Sequence, residues 1–272
     1  MFRRVASCAA KMVVGFGSVQ FGVAAVALTD KELSKKPEWY KNSVLRLEDS
    51  IKATSKKGFI ESETVLNEAE DVFQRVVDLN NPEILWRLAR TLTEKAELVQ
   101  SHSTKAKLLN DAVDLAKRAI ESGKSSAGAH KWYAIALERL IHVDKKAKKN
   151  ASTLHEKIWD NLKRATELDS NDPYAWHLLG VAAFYKKDWK DAVGYFQKAE
   201  SVKKDFSASN LYYLGEAQRH AGNKNEAIET LKNTLRLPGK YKADNKARSD
   251  AKRSLLVNLK LKPEEIAFTD DI

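Results

Sequence analysis

Several features that would support a disulfide-stabilised or β-rich fold are missing from this sequence of 272 residues. It has one cysteine, Cys8, so no intrachain disulfide can form and a reducing compartment is the default expectation. Its 11 glycines and 5 prolines are too few for the many tight turns of an all-β protein. Sustained alternation of β-branched residues is absent as well. The expectation is therefore a helical domain, which a chain of this length can build with a sizeable core.

Motifs for catalysis and metal binding are also missing. The sequence contains no glycine-rich phosphate loop, no Cys-x2-Cys and no His-Glu-x2-His. Its six histidines are scattered, and no two of them have the helical spacing of a metal site. His130 falls on a helix packing position, which predicts a core residue rather than a ligand. We therefore expect a protein that is not an enzyme and that uses no cofactor.

Basic residues are in excess. The chain has 47 Lys and Arg against 37 Asp and Glu, a net charge of +10 and a pI near 9.4. This charge indicates an acidic partner, either a protein surface, anionic lipid or nucleic acid, although a solvated basic surface would look the same. Nucleic acid is disfavoured because the basic residues are spread over helices without the sequence features of a nucleic-acid-binding fold.

The clearest pattern covers residues 172–200, which read as two short helices. Residues at spacings of three and four share a helix face, and small residues there let the two helices approach closely. These positions are Trp176, Leu179, Gly180 and Ala183 on the first helix, then Ala192, Phe196 and Ala199 on the second. Trp-x2-Leu-Gly followed by Ala-x3-Phe-x2-Ala is the pattern of a tetratricopeptide repeat.

Similar hairpins are predicted at 83–122, 127–168 and 211–238, and an earlier degenerate one carries Ala69, Phe73 and Val76. An insertion at 142–153 is predicted to form a loop. The fold class is thus all-α, a tetratricopeptide-like helix-hairpin solenoid with a C-terminal capping helix at 242–259. The expected segments are an N-terminal segment (1–29), N-terminal helices (30–80), a repeat domain (81–260) and a flexible acidic tail (261–272).

The N-terminal segment, residues 1–29, differs from the rest of the chain. It carries Arg3, Arg4 and Lys11 but has no acidic residue before Asp30, and residues 12–28 are mostly apolar or small. A mitochondrial targeting segment, a short membrane anchor, a secretory signal and an untargeted tail all remain open. The absence of cysteine from residue 9 onward argues against secretion.

A concave groove is the expected binding surface of stacked hairpins. The register places aromatic and apolar residues in its middle and basic residues at its edges, which suits a peptide, an amphipathic helix or an acyl chain with an anionic head. The positions are Trp86, Arg90, Lys131, Ile135, Glu138, Tyr174, His177, Val181, Phe184, Tyr212, Glu216 and Arg219. The aromatic members would instead pack against the next hairpin if the groove were closed.

Four segments carry a family resemblance. They are GAHKWYAIAL at 128–137, HLLG at 177–180, FQKAE at 196–200 and NLYYLG at 210–215. With these the chain resembles the regulator of microtubule dynamics family, in order over roughly residues 60 to 260. The AHKWYA part is the most specific, because general tetratricopeptide repeats do not require it. The resemblance implies a helical-repeat domain that acts either at microtubules and the mitotic spindle or at contacts between mitochondria and endoplasmic reticulum, where it carries phospholipid.

The function expected first is a non-enzymatic scaffold that associates with microtubules in the cytoplasm and supports spindle organisation and chromosome segregation in mitosis. Tubulin surfaces are acidic, so lysine clusters are the candidate contacts. These are Lys145, Lys146, Lys148 and Lys149; Lys186, Lys187 and Lys190; and Lys246, Arg248, Lys252 and Arg253. The alternatives are a mitochondria-associated phospholipid-binding or transfer module, and a repeat adaptor for an unknown peptide.

Overall fold

A computed structural model describes residues 33–55, 59–239 and 242–266. All regular secondary structure in these three ranges is helical, with no strand among them, and this confirms the all-α class. The N-terminal segment, for which targeting, anchoring and tail functions were weighed, lies outside the described residues.

The chain forms two compact units, Met1–Asn161 and Leu162–Ile272. The first contains α1 (Glu38–Ser55), α2 (Glu63–Gln74), α3 (Pro82–Leu98), α4 (His102–Ser122), α5 (Ala127–Val143) and α6 (Lys145–Lys149). The second contains α8 (Pro173–Tyr185), α9 (Trp189–Val202), α10 (Ala208–His220), α11 (Lys224–Arg236), α12 (Lys242–Arg253) and α13 (Pro263–Ile266). The boundary between the units falls inside α7 (Ala151–Leu168).

Side-chain caps explain where several helices begin. Asp172 Oδ1 accepts the backbone N–H of Tyr174 at 3.0 Å, and Pro173 occupies the first turn of α8, as the sequence predicts. Asn81 Oδ1 accepts the N–H of Glu83 at 2.9 Å at the start of α3. These bonds satisfy backbone donors that have no partner within the helix.

Glycine allows close packing within the hairpins of the second unit. A Cβ atom added to Gly180 of α8 would lie 2.6 Å from the ring of Phe196 on α9, so the ring occupies that space. Phe196 and Ala192 are fully buried. Gly215 of α10 has the same relation to Leu231 of α11, with a Cβ distance of 2.7 Å. The predicted packing positions of the hairpin at 172–200 are therefore confirmed, except for Trp176, which is half-buried.

The first unit has a short second helix and a long hairpin after it. α2 ends at Gln74, and a 3₁₀ turn (Val77–Leu79) and the left-handed Asn80 (φ 48°) follow. The predicted hairpin at 83–122 consists of two long helices, because α3 extends to Leu98 and α4 begins at His102. Ala69, Phe73 and Val76 are buried, as the degenerate repeat pattern predicts.

The C-terminal residues form a cap on the second unit. α12 ends at Arg253 and is followed by a π-helical segment (Ser254–Asn258), where a helix to residue 259 was expected. Leu231, Leu255 and Ile266 are buried together in one apolar cluster. Leu261 and Ile266 pack on this cluster and so attach residues 261–266, which were expected in a flexible acidic tail, whereas residues 262–265 between them are exposed. Residues 267–272 lie outside the described ranges.

Two glycine variants test the hairpin packing. Gly180→Ala should destabilise the protein by about 1–3 kcal/mol, because the fully buried Phe196 ring has to move. Gly194→Ala in α9 is the matched control: its added Cβ meets no atom within 4 Å, so it should stabilise the helix by about 0.5–1 kcal/mol. Urea unfolding of the full chain measures both. Wild-type stability for Gly180→Ala would contradict the packing argument.

Candidate functional site

The most concentrated basic feature is α6, which we call the lysine turn (Lys145–Lys149). Its four lysines are exposed, whereas Ala147 between them is only 7% exposed and fixes the turn to the first unit. Asp144 Oδ1 caps the turn by accepting the N–H of Ala147 at 2.7 Å. The loop predicted for 142–153 is thus wrong, because this cap and the buried alanine stabilise a helical turn.

The second and third lysine clusters lie in the second unit. Lys186, Lys187 and Lys190 are exposed at the turn between α8 and α9. In the third cluster Lys246, Lys252 and Arg253 are exposed, but Arg248 is half-buried. Arg253 also donates to Asp250 at 3.0 Å, so the third cluster is partly neutralised within its own helix.

The predicted groove positions of the first unit are mostly closed. Arg90 is 5% exposed, and its Nη1 donates to the backbone carbonyl of Thr54 at 2.7 Å, in the last turn of α1. The same guanidinium pairs with Glu94 at 3.1 Å. Arg90 therefore holds α1 against α3 by bonding a carbonyl that has no partner within α1. The expectation that Arg90 faces an open groove is wrong.

Trp86 and Ile135 are likewise core residues, at 9% and 5% exposure, and Lys131 is half-buried. A Cβ added to Gly128 would lie 2.6 Å from the Trp86 ring, so this glycine lets α5 approach the indole closely. Arg87 covers the ring, with Cζ 4.1 Å from its centre. The first residue of the segment GAHKWYAIAL thus has a packing role. His130, as expected, is buried, and its Nδ1 lies 2.7 Å from Asn161 Oδ1.

Glu138 belongs to the same predicted set and is half-buried near the lysine turn. Its carboxylate lies 3.2 Å from His142 and 3.7 Å from His155, which are both exposed. Nowhere in the described part of the chain do three or more His, Cys, Asp or Glu side chains form a group that could hold a metal ion.

The predicted groove positions of the second unit fall into a buried and a half-buried group. His177 is 6% exposed, with Nδ1 3.1 Å from Asn210 Oδ1 and its ring stacked 5.9 Å from that of Tyr174. Glu216 is buried and accepts from Arg219 at 2.7 Å. The half-buried members are Tyr174, Val181, Phe184, Tyr212 and Arg219. His177 and Glu216 are therefore not open to a ligand, in contrast to the expectation.

An aromatic surface that the sequence analysis missed surrounds Phe184. We define it as Phe184, Tyr185, Trp189, Tyr213 and His220. The Trp189 and His220 rings stack 4.4 Å apart, and the Tyr185 and Tyr213 hydroxyl oxygens are 3.2 Å apart. Because α8, α9 and α10 each supply part of it, helix register alone did not reveal the cluster. The sequence signals are the Phe184-Tyr185 pair at the end of α8 and Trp189 at the start of α9.

Likeness to solved structures defines the class of protein. The chain matches a thermophilic TPR protein of Thermus thermophilus with a TM-score of 0.55 and 18% identity, over 79% of this chain and 100% of that one. It matches MamA (41-end) of Desulfovibrio magneticus RS-1 with a TM-score of 0.50 and 14% identity, over 72% and 94%. At these identities the likeness shows the fold alone, that of a tetratricopeptide-like helical-repeat protein.

Sequence comparison then gives the family. The family model described as Regulator of microtubule dynamics protein 1-3 matches residues 49–186 and 181–260. Regulator of microtubule dynamics protein 1 of Mus musculus is 30% identical over 212 residues, which cover 69% of each chain. Protein 3 of the same organism is 26% identical over 188 residues, which cover 62% of this chain and 40% of the relative. The chain belongs to the regulator of microtubule dynamics family.

Replacement of Arg90 tests whether it fixes α1 in place. Arg90→Met should destabilise the protein by about 3–5 kcal/mol, because it leaves Glu94 buried without its partner. Burial already raises the pKa of Glu94 despite the attraction of Arg90. Urea unfolding provides the measurement, and Lys52→Met on the exposed face of α1 is the control. A loss below about 1 kcal/mol would contradict the role assigned to Arg90.

His177 should make stability depend on pH. Burial lowers its pKa to about 4 from the ordinary 6.5, against the opposing effects of Asn210 and Asp244. Between these values the unfolded chain binds a proton that the folded chain does not. Neutral His177 therefore makes its full contribution to the free energy of unfolding above pH 6.5. As pH falls to 4, protonation of the unfolded chain lowers that free energy by about 3 kcal/mol.

The non-titrating variant His177→Gln should show a flatter decline of unfolding free energy between pH 7 and 4.5 than the wild type. The amide can still donate to Asn210, so the comparison isolates protonation. Parallel pH profiles for the two proteins would contradict a neutral, buried His177.

Proposed function

We propose that this chain is a non-enzymatic helical-repeat scaffold that associates with microtubules and supports spindle organisation and chromosome segregation. Family membership supports the link to microtubule dynamics, since the relatives carry that description in their names. The lysine turn is the observation that carries the proposed contact.

Three properties suit the lysine turn to an acidic protein surface. Its four exposed lysines lie within five consecutive helical residues, and the Asp144 cap and the buried Ala147 hold their backbone in place. A fixed backbone reduces the entropy lost on binding. Attraction between exposed charges is screened over about 8–10 Å at physiological salt, so the contact should be salt-sensitive.

Phospholipid binding at mitochondria is the competing function. It requires an open apolar lining, but Trp86 and Ile135, which were expected to supply part of it, are buried in the core of the first unit. Within the described residues, no helix combines the length and the apolar composition needed to cross a bilayer. Because Trp86 and Ile135 are buried, we favour the microtubule cytoskeleton as the place of action.

Co-sedimentation of the full chain with microtubules tests the proposal. Replacement of Lys145, Lys146, Lys148 and Lys149 by Glu should weaken binding at least tenfold at low salt, because four attractions become repulsions. The wild type should bind saturably and more weakly as salt increases.

The control exchanges Lys52, Lys107, Lys117 and Lys124 for Glu, which changes the net charge equally at positions outside the lysine turn in the same unit. This variant should bind much better than the lysine-turn variant. Equal binding by the two variants would remove the lysine turn from the proposal. No pelleting of the wild type at any salt concentration would overturn microtubule association and favour the phospholipid alternative.

A further inference from the structure

Across the aromatic surface of the second unit, side-chain exposure increases from the core toward solvent. The inner edge of this surface meets fully buried Phe196, which stacks on Tyr213 with ring centres 6.0 Å apart. Phe184, Trp189 and Tyr213 are half-buried, and Tyr185 at the outer edge is 69% exposed. Tyr185 is thus an exposed aromatic ring supported by a rigid aromatic base, an arrangement that suits a binding anchor better than a solvated side chain.

Two hydroxyl groups lie at the outer edge of this surface. Tyr185 and Tyr213 share a hydrogen bond of 3.2 Å, and burial raises the pKa of Tyr213, so its hydroxyl is protonated at neutral pH. Each hydroxyl can both donate and accept. While they bond each other, one hydroxyl hydrogen remains to donate to a carbonyl or carboxylate oxygen next to an aromatic face.

Basic residues follow the aromatic surface directly along the chain. Lys186 and Lys187 come immediately after Tyr185, and Lys190 comes after Trp189; all three are exposed. Two acids act on members of the surface, Asp250 on Tyr213 and Glu216 on His220, and Glu216 is itself paired with Arg219. Asp191 lies about 200° around α9 from Trp189, and Asp188 and Asp191 both raise the pKa of Tyr195, which stacks on Trp176 instead. On the side of α8 and α9, the rim of the aromatic surface therefore carries three exposed lysines.

The backbone of Lys187 supplies an independent observation. Lys187 has φ 63°, and the N–H groups of Lys187 and Asp188 bond the carbonyls of Phe184 and Ala183. At the end of α10, Gly222 has φ 90°, and Gly222 and Asn223 make the equivalent two bonds. Glycine takes this left-handed conformation without strain, whereas lysine does not. The turn after α8 thus carries the basic side chain of Lys187 at a position where glycine would make the protein more stable.

We propose that the aromatic surface and its lysine rim bind an acidic, extended peptide that carries an aromatic side chain. The aromatic group of the peptide would pack on Tyr185, its acidic groups would lie near Lys186, Lys187 and Lys190, and its backbone would bond the tyrosine hydroxyls. This inference rests on the proposed function for the acidic character of the partner, and it adds a second contact, distinct from the lysine turn.

A peptide fits better than a membrane surface. Tyr185 is 69% exposed, whereas the rings of Phe184, Trp189 and Tyr213 are half-buried and the exposed His220 is polar. Insertion into a bilayer needs several projecting apolar side chains. A single projecting ring beside a hydrogen-bond donor instead matches the anchors of peptide-binding surfaces.

The test measures fluorescence anisotropy of a short, labelled, Glu-rich peptide with one central tyrosine, titrated with the full chain. Tyr185→Ala should weaken binding about tenfold without loss of stability, because its side chain is mostly exposed. Val257→Ala, at another exposed apolar side chain of the second unit, is the control and should bind as the wild type does.

Lys187→Gly separates binding from folding. Glycine takes the left-handed backbone conformation of residue 187 without strain, so the variant should have a higher melting temperature. Loss of the lysine charge should weaken peptide binding about two- to fivefold. A more stable protein that binds less well cannot be explained by misfolding. Unchanged binding by either Tyr185→Ala or Lys187→Gly would overturn the proposed site.

Two further measurements on the same protein distinguish the remaining outcomes. Microtubule pelleting without peptide binding would overturn this inference and leave the proposed function in place, and peptide binding without pelleting would do the reverse. Binding of phosphatidylserine-containing vesicles that is lost in Tyr185→Ala, with no peptide binding, would identify a lipid surface and overturn the inference.

Discussion

Close contact between glycine and a large buried side chain is the constraint on which the helix pairs depend. Gly180 lies against Phe196, and Gly215 lies against Leu231, so α8 with α9 and α10 with α11 pack at similarly short range. In the first unit Gly128 allows α5 the same approach to Trp86. Since a Cβ in any of these places would overlap a ring or a branched side chain, the spacing of each pair is fixed by its sequence.

Fixed helix pairs determine what their ends present to solvent. Buried Ala147 holds the lysine turn, and the half-buried Phe184 supports Tyr185. In both places a core contact lies within two residues of exposed basic or aromatic side chains. The candidate sites therefore need little ordering on binding, which lowers the entropic cost of recognition.

The sequence was sufficient for features that depend on local spacing. The packing positions around Gly180 and Gly215 and the cap before Pro173 could be predicted because helical periodicity and capping chemistry are local. The closure of the groove at Arg90 could not be predicted from the sequence, because it depends on a bond to Thr54, 36 residues earlier in the chain. The aromatic surface was missed for the same reason, since Trp189 of α9 and His220 of α10 meet only when the two helices are packed.

Buried polar groups stabilise this fold, whereas exposed polar groups are available for binding. Inside, Arg90 with Glu94 and His177 with Asn210 hold specific helices together, and a change there affects stability first. Outside, the lysines at the hairpin ends contribute little to folding, because exposed charges stabilise a fold only weakly. Charge at these ends can therefore change with little cost in stability, so partner choice is separable from the helical framework. That separation is why charge-reversal variants can report on binding in this protein without the ambiguity of an unfolded domain.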